Sequence, residues 1–234
     1  MKWNGNTILI TGGATGIGLA LAESLLTRGN TVIVCGRSVR TLQAARAALP
    51  GLITCRCDVS DASGRRDLIE WLASNYPRLN VLVNNAGVQY RPDFAAGSVK
   101  AAKVAEEIGI NLLTPILLSA ELLPMFKAQP AAAIINVTSA LAVCPIAAMP
   151  VYCATKAALH SFTMSLRHQL AATAVRVIEL VPPMVDTALG GVAGGAGAMT
   201  AREFAMEALA GLERGETEVL VGGARKLREQ GESI

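Results

Sequence analysis

Thr7-Ile8-Leu9-Ile10-Thr11-Gly12-Gly13-Ala14-Thr15-Gly16-Ile17-Gly18, followed at once by Leu19-Ala20-Leu21-Ala22-Glu23-Ser24-Leu25-Leu26, reads as a strand, a glycine-rich turn and a helix without a gap. Glycines at such a turn let the backbone pass close to a pyrophosphate, and the helix N-terminus points unpaired N–H groups and a positive dipole end at it. Three residues separate Gly12 from Gly16, so the spacing departs from the three-glycine dinucleotide fingerprint. Because it follows the first strand of a βαβ unit, the turn predicts a nucleotide site that uses Thr11, Gly12, Ala14, Thr15, Gly16, Ile17 and Gly18.

Outward from this turn, β-branched runs near residues 7–11, 31–35, 52–57, 80–84, 132–138, 175–181 and 217–221 alternate with longer helical patterns. That alternation predicts an α/β fold, a doubly wound parallel sheet of the Rossmann type, with residues 1–234 forming a single domain. With 234 residues, 52% hydrophobic and 17% charged, the chain can bury a large core. A net charge of +3 is too small to point to nucleic acid or a membrane surface. No apolar run is expected to reach the length of a membrane span, and the first strand leaves no room for a signal peptide, so the expected location is cytoplasmic. The five Cys are read as buried free thiols, with Cys55 and Cys57 expected on opposite faces of a strand. The glycine-rich stretch within residues 187–199 is expected to form a mobile loop over a substrate.

Tyr152-Cys153-Ala154-Thr155-Lys156, with Ser139 thirteen residues upstream, carries the chemistry. At helical spacing Tyr152 and Lys156 share a face, where an ammonium would favour an ionised phenol and bring its pKa down toward neutrality. Such a Tyr can donate a proton to a developing alkoxide or take one from an alcohol, while a Ser hydroxyl at the end of the preceding strand binds the same oxygen.

Together with Asn84-Asn85-Ala86-Gly87, Asn111 and the segment from Pro182 to Thr187, these motifs make the chain resemble the short-chain dehydrogenase/reductase superfamily over most of its length. Lys2-Trp3, Gly5-Asn6-Thr7, residues 152–170 and Glu179-Leu180-Val181-Pro182-Pro183-Met184-Val185-Asp186-Thr187 look like a bacterial branch labelled for D-alanine esterification of teichoic acid. The resemblance implies a seven-stranded sheet in the order 3-2-1-4-5-6-7 and hydride transfer between a nicotinamide and a carbonyl or secondary alcohol. It implies Tyr152 as acid or base, Ser139 orienting the oxygen, Lys156 contacting the nicotinamide ribose, and Asn111 completing a proton path through a water at its backbone. It gives Asp58 and Val59 to the adenine, Asn85, Ala86 and Gly87 to the cofactor's flank, and Pro182, Val185 and Thr187 to the carboxamide end. Pro183 stands where the family usually has a glycine, which puts the path of that segment in doubt. Pairing through the helices that contain Asn111 and Tyr152, as a homodimer or homotetramer, is also implied.

The end of the second strand bears on the choice of cofactor. An acidic side chain there would accept hydrogen bonds from the adenosine ribose, but Val34-Cys35 leads into Gly36 and Arg37. NADP(H) is therefore expected over NAD(H), which stays possible, with Arg37 on the 2′-phosphate. A long helix is expected over residues 98–127, in which Pro115 has no N–H for the carbonyl of Asn111. The substrate pocket is expected to be largely apolar, built from Gln89, Leu141, Val143, Met149, Met184 and Leu189 beside Ser139 and Tyr152. His160 and His168 are read as helix-surface residues, and Arg65-Arg66 with Lys226 and Arg228 as solvated charges. The alternative to a reductase for small molecules is an NADP-binding sensor or scaffold of the same fold, which the filled catalytic positions disfavour. An epimerase or dehydratase would need an extended substrate domain that the few residues after Thr187 do not supply.

Overall fold

The computed structural model describes residues 1–191 and 197–231. Strands β1 (Thr7–Thr11), β2 (Thr31–Gly36), β3 (Ile53–Arg56), β4 (Leu79–Asn84), β5 (Ala132–Val137) and β6 (Val175–Val181) lie close to the expected runs. Two short strands, β7 (Val185–Asp186) and β8 (Met199–Thr200), precede β9 (Glu218–Leu220). The main sheet has seven parallel strands in the order β3-β2-β1-β4-β5-β6-β9, so the seventh strand of the expected order is β9. β7 and β8 pair separately and fasten the base of the loop expected over residues 187–199. Residues 192–196 of that loop lie outside the described residues.

Helices α1 (Gly16–Leu26), α2 (Val39–Ala48), α3 (Ala62–Asn75), α4 (Ala101–Ile108), α5 (Thr114–Lys127), α6 (Pro150–Gln169), α7 (Ala201–Glu213) and α8 (Ala224–Gly231) complete the chain. One core cluster joins α1 and α7 to the face of the sheet that carries Ile8, Ile10, Val32 and Val34. The other joins α3 and α5 to the opposite face, with Leu9, Ile33, Leu82 and Ile134. Buried residues that alternate in direction along β1 and β2 thus feed two layers, as a doubly wound sheet requires. A capping box, in which Thr200 and Glu203 exchange hydrogen bonds, starts α7 directly after β8.

Four expectations change here. The helix of residues 98–127 begins at Ala101 and widens to a π turn over Gly109–Leu113, just before Pro115. From Ala101 to Lys127 it is long and apolar enough to cross a membrane by length and composition, although no such run was expected. Its apolar residues Leu118, Leu122 and Phe126 are fully buried in the core against the sheet. Cys55 and Cys57 share a face, because residues two apart in a strand point the same way, and both join Cys35 on the α3 side. Arg65 is not a solvated charge. It is 6% exposed, pairs with Glu121 at 3.2 Å and donates to the carbonyls of Val59 and Ser60.

Candidate active site

The C-terminal ends of β1, β2, β4 and β5 open onto one cavity of about 500 Å³, where ligands of such sheets are expected. The glycine-rich turn forms one wall. Gly12 has φ +64, and a Cβ there would stand 2.9 Å from the backbone of Ala86. At Gly18 a Cβ would meet the carbonyl of Gly12 at 2.8 Å, so this glycine serves the close packing of α1 on the turn. Thr15, Gly16 and Ile17 line the cavity at the start of α1, whose Thr15 makes no side-chain cap and whose first turn has no acidic residue. The leading N–H groups of α1 therefore face the cavity without a capping side chain, which fits the pyrophosphate of a dinucleotide. Thr11 and Ala14 are buried beside the cavity. The Thr11 hydroxyl accepts from the backbone N–H groups of Asn85 and Ala86, both at 3.0 Å, and so sets the wall that Asn85, Ala86 and Gly87 provide.

At the other end of this wall, Gly36, Arg37, Asp58 and Val59 line the cavity. Arg37 lies 3.5 Å from Glu106 and 4.0 Å from Asp58, with its side chain 54% exposed. One oxygen of Asp58 accepts from the N–H and hydroxyl of its own neighbour Ser60, at 3.0 and 2.7 Å. Cys35 and Cys57 also line this end, which the sequence reading missed because it took them only as core thiols. Burial raises the thiol of Cys57 to about 11.

The reacting end gathers Ser139, Tyr152 and Lys156. Ser139 follows β5, its hydroxyl accepting from the N–H of Leu141 at 3.1 Å and lying within hydrogen-bonding reach of the Tyr152 phenol. Tyr152 and Lys156 stand one turn apart on α6, the ammonium 5.6 Å from the ring centre. Lys156 donates to the carbonyl of Val137 at 2.8 Å. Tyr152 was expected to be brought toward neutrality, but burial dominates and raises its pKa, opposed by the bond to Ser139. The phenol is 6% exposed, and the Lys156 ammonium is turned toward Val137. Lys156 itself is lowered to about 8 by burial, opposed by the charge of Glu179.

Asn111 is fully buried in the π turn. Its side chain accepts from the N–H of Val88 at 2.9 Å and donates to the carbonyl of Val88 at 2.8 Å and to Thr155 at 3.3 Å. It therefore clamps the chain after β4 to α6. Glu107, one turn earlier and equally buried, accepts from the N–H of Tyr90 and extends the clamp.

Pro182 and Thr187 line the cavity, and Val185 sits in β7 against the core. Gln89 contacts the thioether of Met149. Met149 packs with Tyr152 and Leu141, whereas Met184 is 59% exposed. Val143 lies half-buried after Ser139, and Leu189 lines the cavity. His168 is an exposed helix residue, but His160 is not. Its Nδ1 lies 2.8 Å from the buried carboxylate of Glu179. This pair was missed because the acid comes from β6 and not from the same helix.

A doubly wound sheet with a dinucleotide-shaped cavity, at whose end a Ser, a Tyr and a Lys converge, defines a nicotinamide-dependent oxidoreductase. Residues 6–208 match the family described as short chain dehydrogenase, and the chain belongs to that family. It is 49% identical to an uncharacterised oxidoreductase, DltE, of Bacillus subtilis (strain 168), over 98% of this chain and 93% of that protein. It is 32% identical to human 15-hydroxyprostaglandin dehydrogenase [NAD(+)], over 81% of this chain and 71% of that one. A short-chain dehydrogenase from Sphingobium yanoikuyae, solved in complex with NADPH, superposes with a TM-score of 0.85 at 26% identity, covering 97% of this chain and 93% of the other. The chain is thus an oxidoreductase of the short-chain dehydrogenase/reductase family that works with a nicotinamide cofactor.

Proposed function

We propose that the enzyme prefers NADP(H) and interconverts a carbonyl and a secondary alcohol on a small, largely apolar substrate. The convergence of Ser139, Tyr152 and Lys156 at one end of the cavity carries this reading. When bound, the nicotinamide supplies or accepts the hydride. Tyr152, held protonated by burial, gives its proton to the carbonyl oxygen in reduction, and Ser139 orients that oxygen with a second hydrogen bond. Lys156 keeps a positive charge behind the phenol and stands ready for the ribose. Asn111 fixes the floor of the site through Val88, and Pro115 withholds an N–H from its carbonyl, which supports a water there as the proton path. Leu141 and Met149 give the substrate end its apolar character.

Arg37 at the ribose end supports the NADP preference, since its contacts with Glu106 and Asp58 are long and half of it is exposed. Arg37→Ala is expected to weaken NADPH binding roughly tenfold, the loss of one charged hydrogen bond, with little change for NADH. Fluorescence titration of both cofactors, followed by NADPH oxidation against a panel of ketones, aldehydes and sugars, tests the reading. Equal losses for the two cofactors would remove Arg37 from the 2′-phosphate.

The same reading includes self-association through α4, α5 and α6, supported by the exposed Ile108, Leu113 and Met164 on those helices and the turn between them. Light scattering at micromolar concentration is expected to give a dimer or tetramer. A monomer there would rule the pairing out.

A further inference from the structure

Lys156, His160 and Thr163 form one stripe of α6, spaced to face the same side, and this stripe lies over β5 and β6. Beneath it are Asn136 and Thr138 of β5 and its exit, and Glu179 of β6, which stands in register with Asn136. Thr163 accepts from Asn136 at 2.9 Å. Glu179 is 1% exposed, yet both its oxygens are taken up: Thr138 donates to it at 2.6 Å, and His160 Nδ1 lies at 2.8 and 2.9 Å. Thr138 directly follows Val137, whose carbonyl holds the Lys156 ammonium. The carboxylate and the ammonium thus lie under the same turn of α6.

The groups around Glu179 set its partner. Arg228 of α8 reaches His160 Nε2 at 3.4 Å and Glu218 of β9 at 3.1 Å. A guanidinium can only donate, so His160 Nε2 accepts and its Nδ1–H is turned to Glu179. His160, Glu179 and Glu218 approach within 4.8 Å, a metal-like spacing, but Arg228 already brings a cation to that point. Hydrogen bonds from Thr138 and His160 hold the buried carboxylate in place, and the cation on the same stripe that feels its charge is Lys156.

We propose that Glu179, held by His160 and Thr138, is a positioning residue that supplies the buried negative charge behind Lys156 and so keeps that ammonium charged where it serves the cofactor and Tyr152. This rests on the reading of Lys156 given under the proposed function. The charge that acts on Lys156 is that of Glu179. The titratable groups that act on the neighbouring Tyr152 phenol are Cys153 on α6 and Glu107 on α4, and neither comes from β5 or β6.

The test is the pH dependence of NADPH binding, followed by fluorescence, and of kcat/KM on the alkaline side. Wild type is expected to lose binding as Lys156 deprotonates near pH 8. Glu179→Gln is expected to move that midpoint down by about one pH unit, as loss of an opposite charge does. Glu179→Asp, which keeps the charge, should restore most of it. A merely structural Glu179 would lower thermal stability in Glu179→Gln and leave the midpoint where it was, which would overturn the proposal. Lys156→Met separates the two readings, because it should abolish the alkaline limb. If the limb survives in Lys156→Met, the cofactor role of Lys156 falls; if it vanishes there while Glu179→Gln leaves wild-type behaviour, only the counter-charge falls. Should Glu179→Gln not fold, the carboxyl ¹³C signal of Glu179 in the wild-type protein decides: an ionised carboxylate at pH 7 supports the proposal, and a neutral carboxyl overturns it.

Discussion

Tyr152→Phe is expected to lower kcat by roughly 10²- to 10⁴-fold, the usual worth of general acid catalysis, while leaving NADPH affinity nearly unchanged. The substitution removes one oxygen from a ring that is 6% exposed and packed with Met149 and Cys153, so the packing of α6 is kept. Because burial raises the phenol's pKa, the residue is a proton donor across the neutral range, and its loss should depress the reductive direction at every pH between 6 and 8. Steady-state kinetics with a substrate found in the panel, beside a cofactor titration, checks both halves. A variant that keeps near-normal kcat would mean that another group delivers the proton.

Phe126→Ala is expected to destabilise the protein by about 3–5 kcal/mol, as loss of a fully buried aromatic ring does. For a chain of 234 residues this lowers Tm by roughly 10 °C. Phe126 is fully buried among Leu118, Leu122 and Ile134, where α5 lies against the sheet. The measurement also bears on why residues 101–127 are apolar enough to span a bilayer. A Tm unchanged from wild type would mean that the helix is not held by this core and that its apolarity serves something else.

The strands and the place of the cavity were legible because both follow from local patterns, β-branched runs for the strands and the turn from Thr11 to Gly18 for the wall of the site, whereas the order of the sheet was expected only from the family resemblance. The convergence of Ser139, Tyr152 and Lys156 was legible for the same reason, since two of the three are one helical turn apart. What escaped were contacts between elements distant in sequence. His160 was read as a surface residue because its partner, Glu179, arrives from β6. Arg65 was read as solvated because the carbonyls it caps belong to the loop before its own helix and its ion pair to α5. The direction of the Tyr152 pKa was also missed, since helical spacing fixes nearness to Lys156 but says nothing of how much water the fold removes or which carbonyl takes the ammonium. The π turn before Pro115 has no signature beyond the proline itself.

The strand order has a consequence for synthesis. The pairing of β1 with β2 needs no residue beyond Gly36, but its other partner, β4, ends at Asn84. During translation at about 5–20 residues per second, the open edge of β1 waits roughly 2 to 10 seconds for the chain that will close it. Ile8, Leu9 and Ile10, fully buried in the finished fold, lack one of their two neighbouring strands throughout that interval. A nascent chain of this kind is one that holdase chaperones engage, and ribosome-bound fragments ending before β4 should bind them more tightly than fragments that include it.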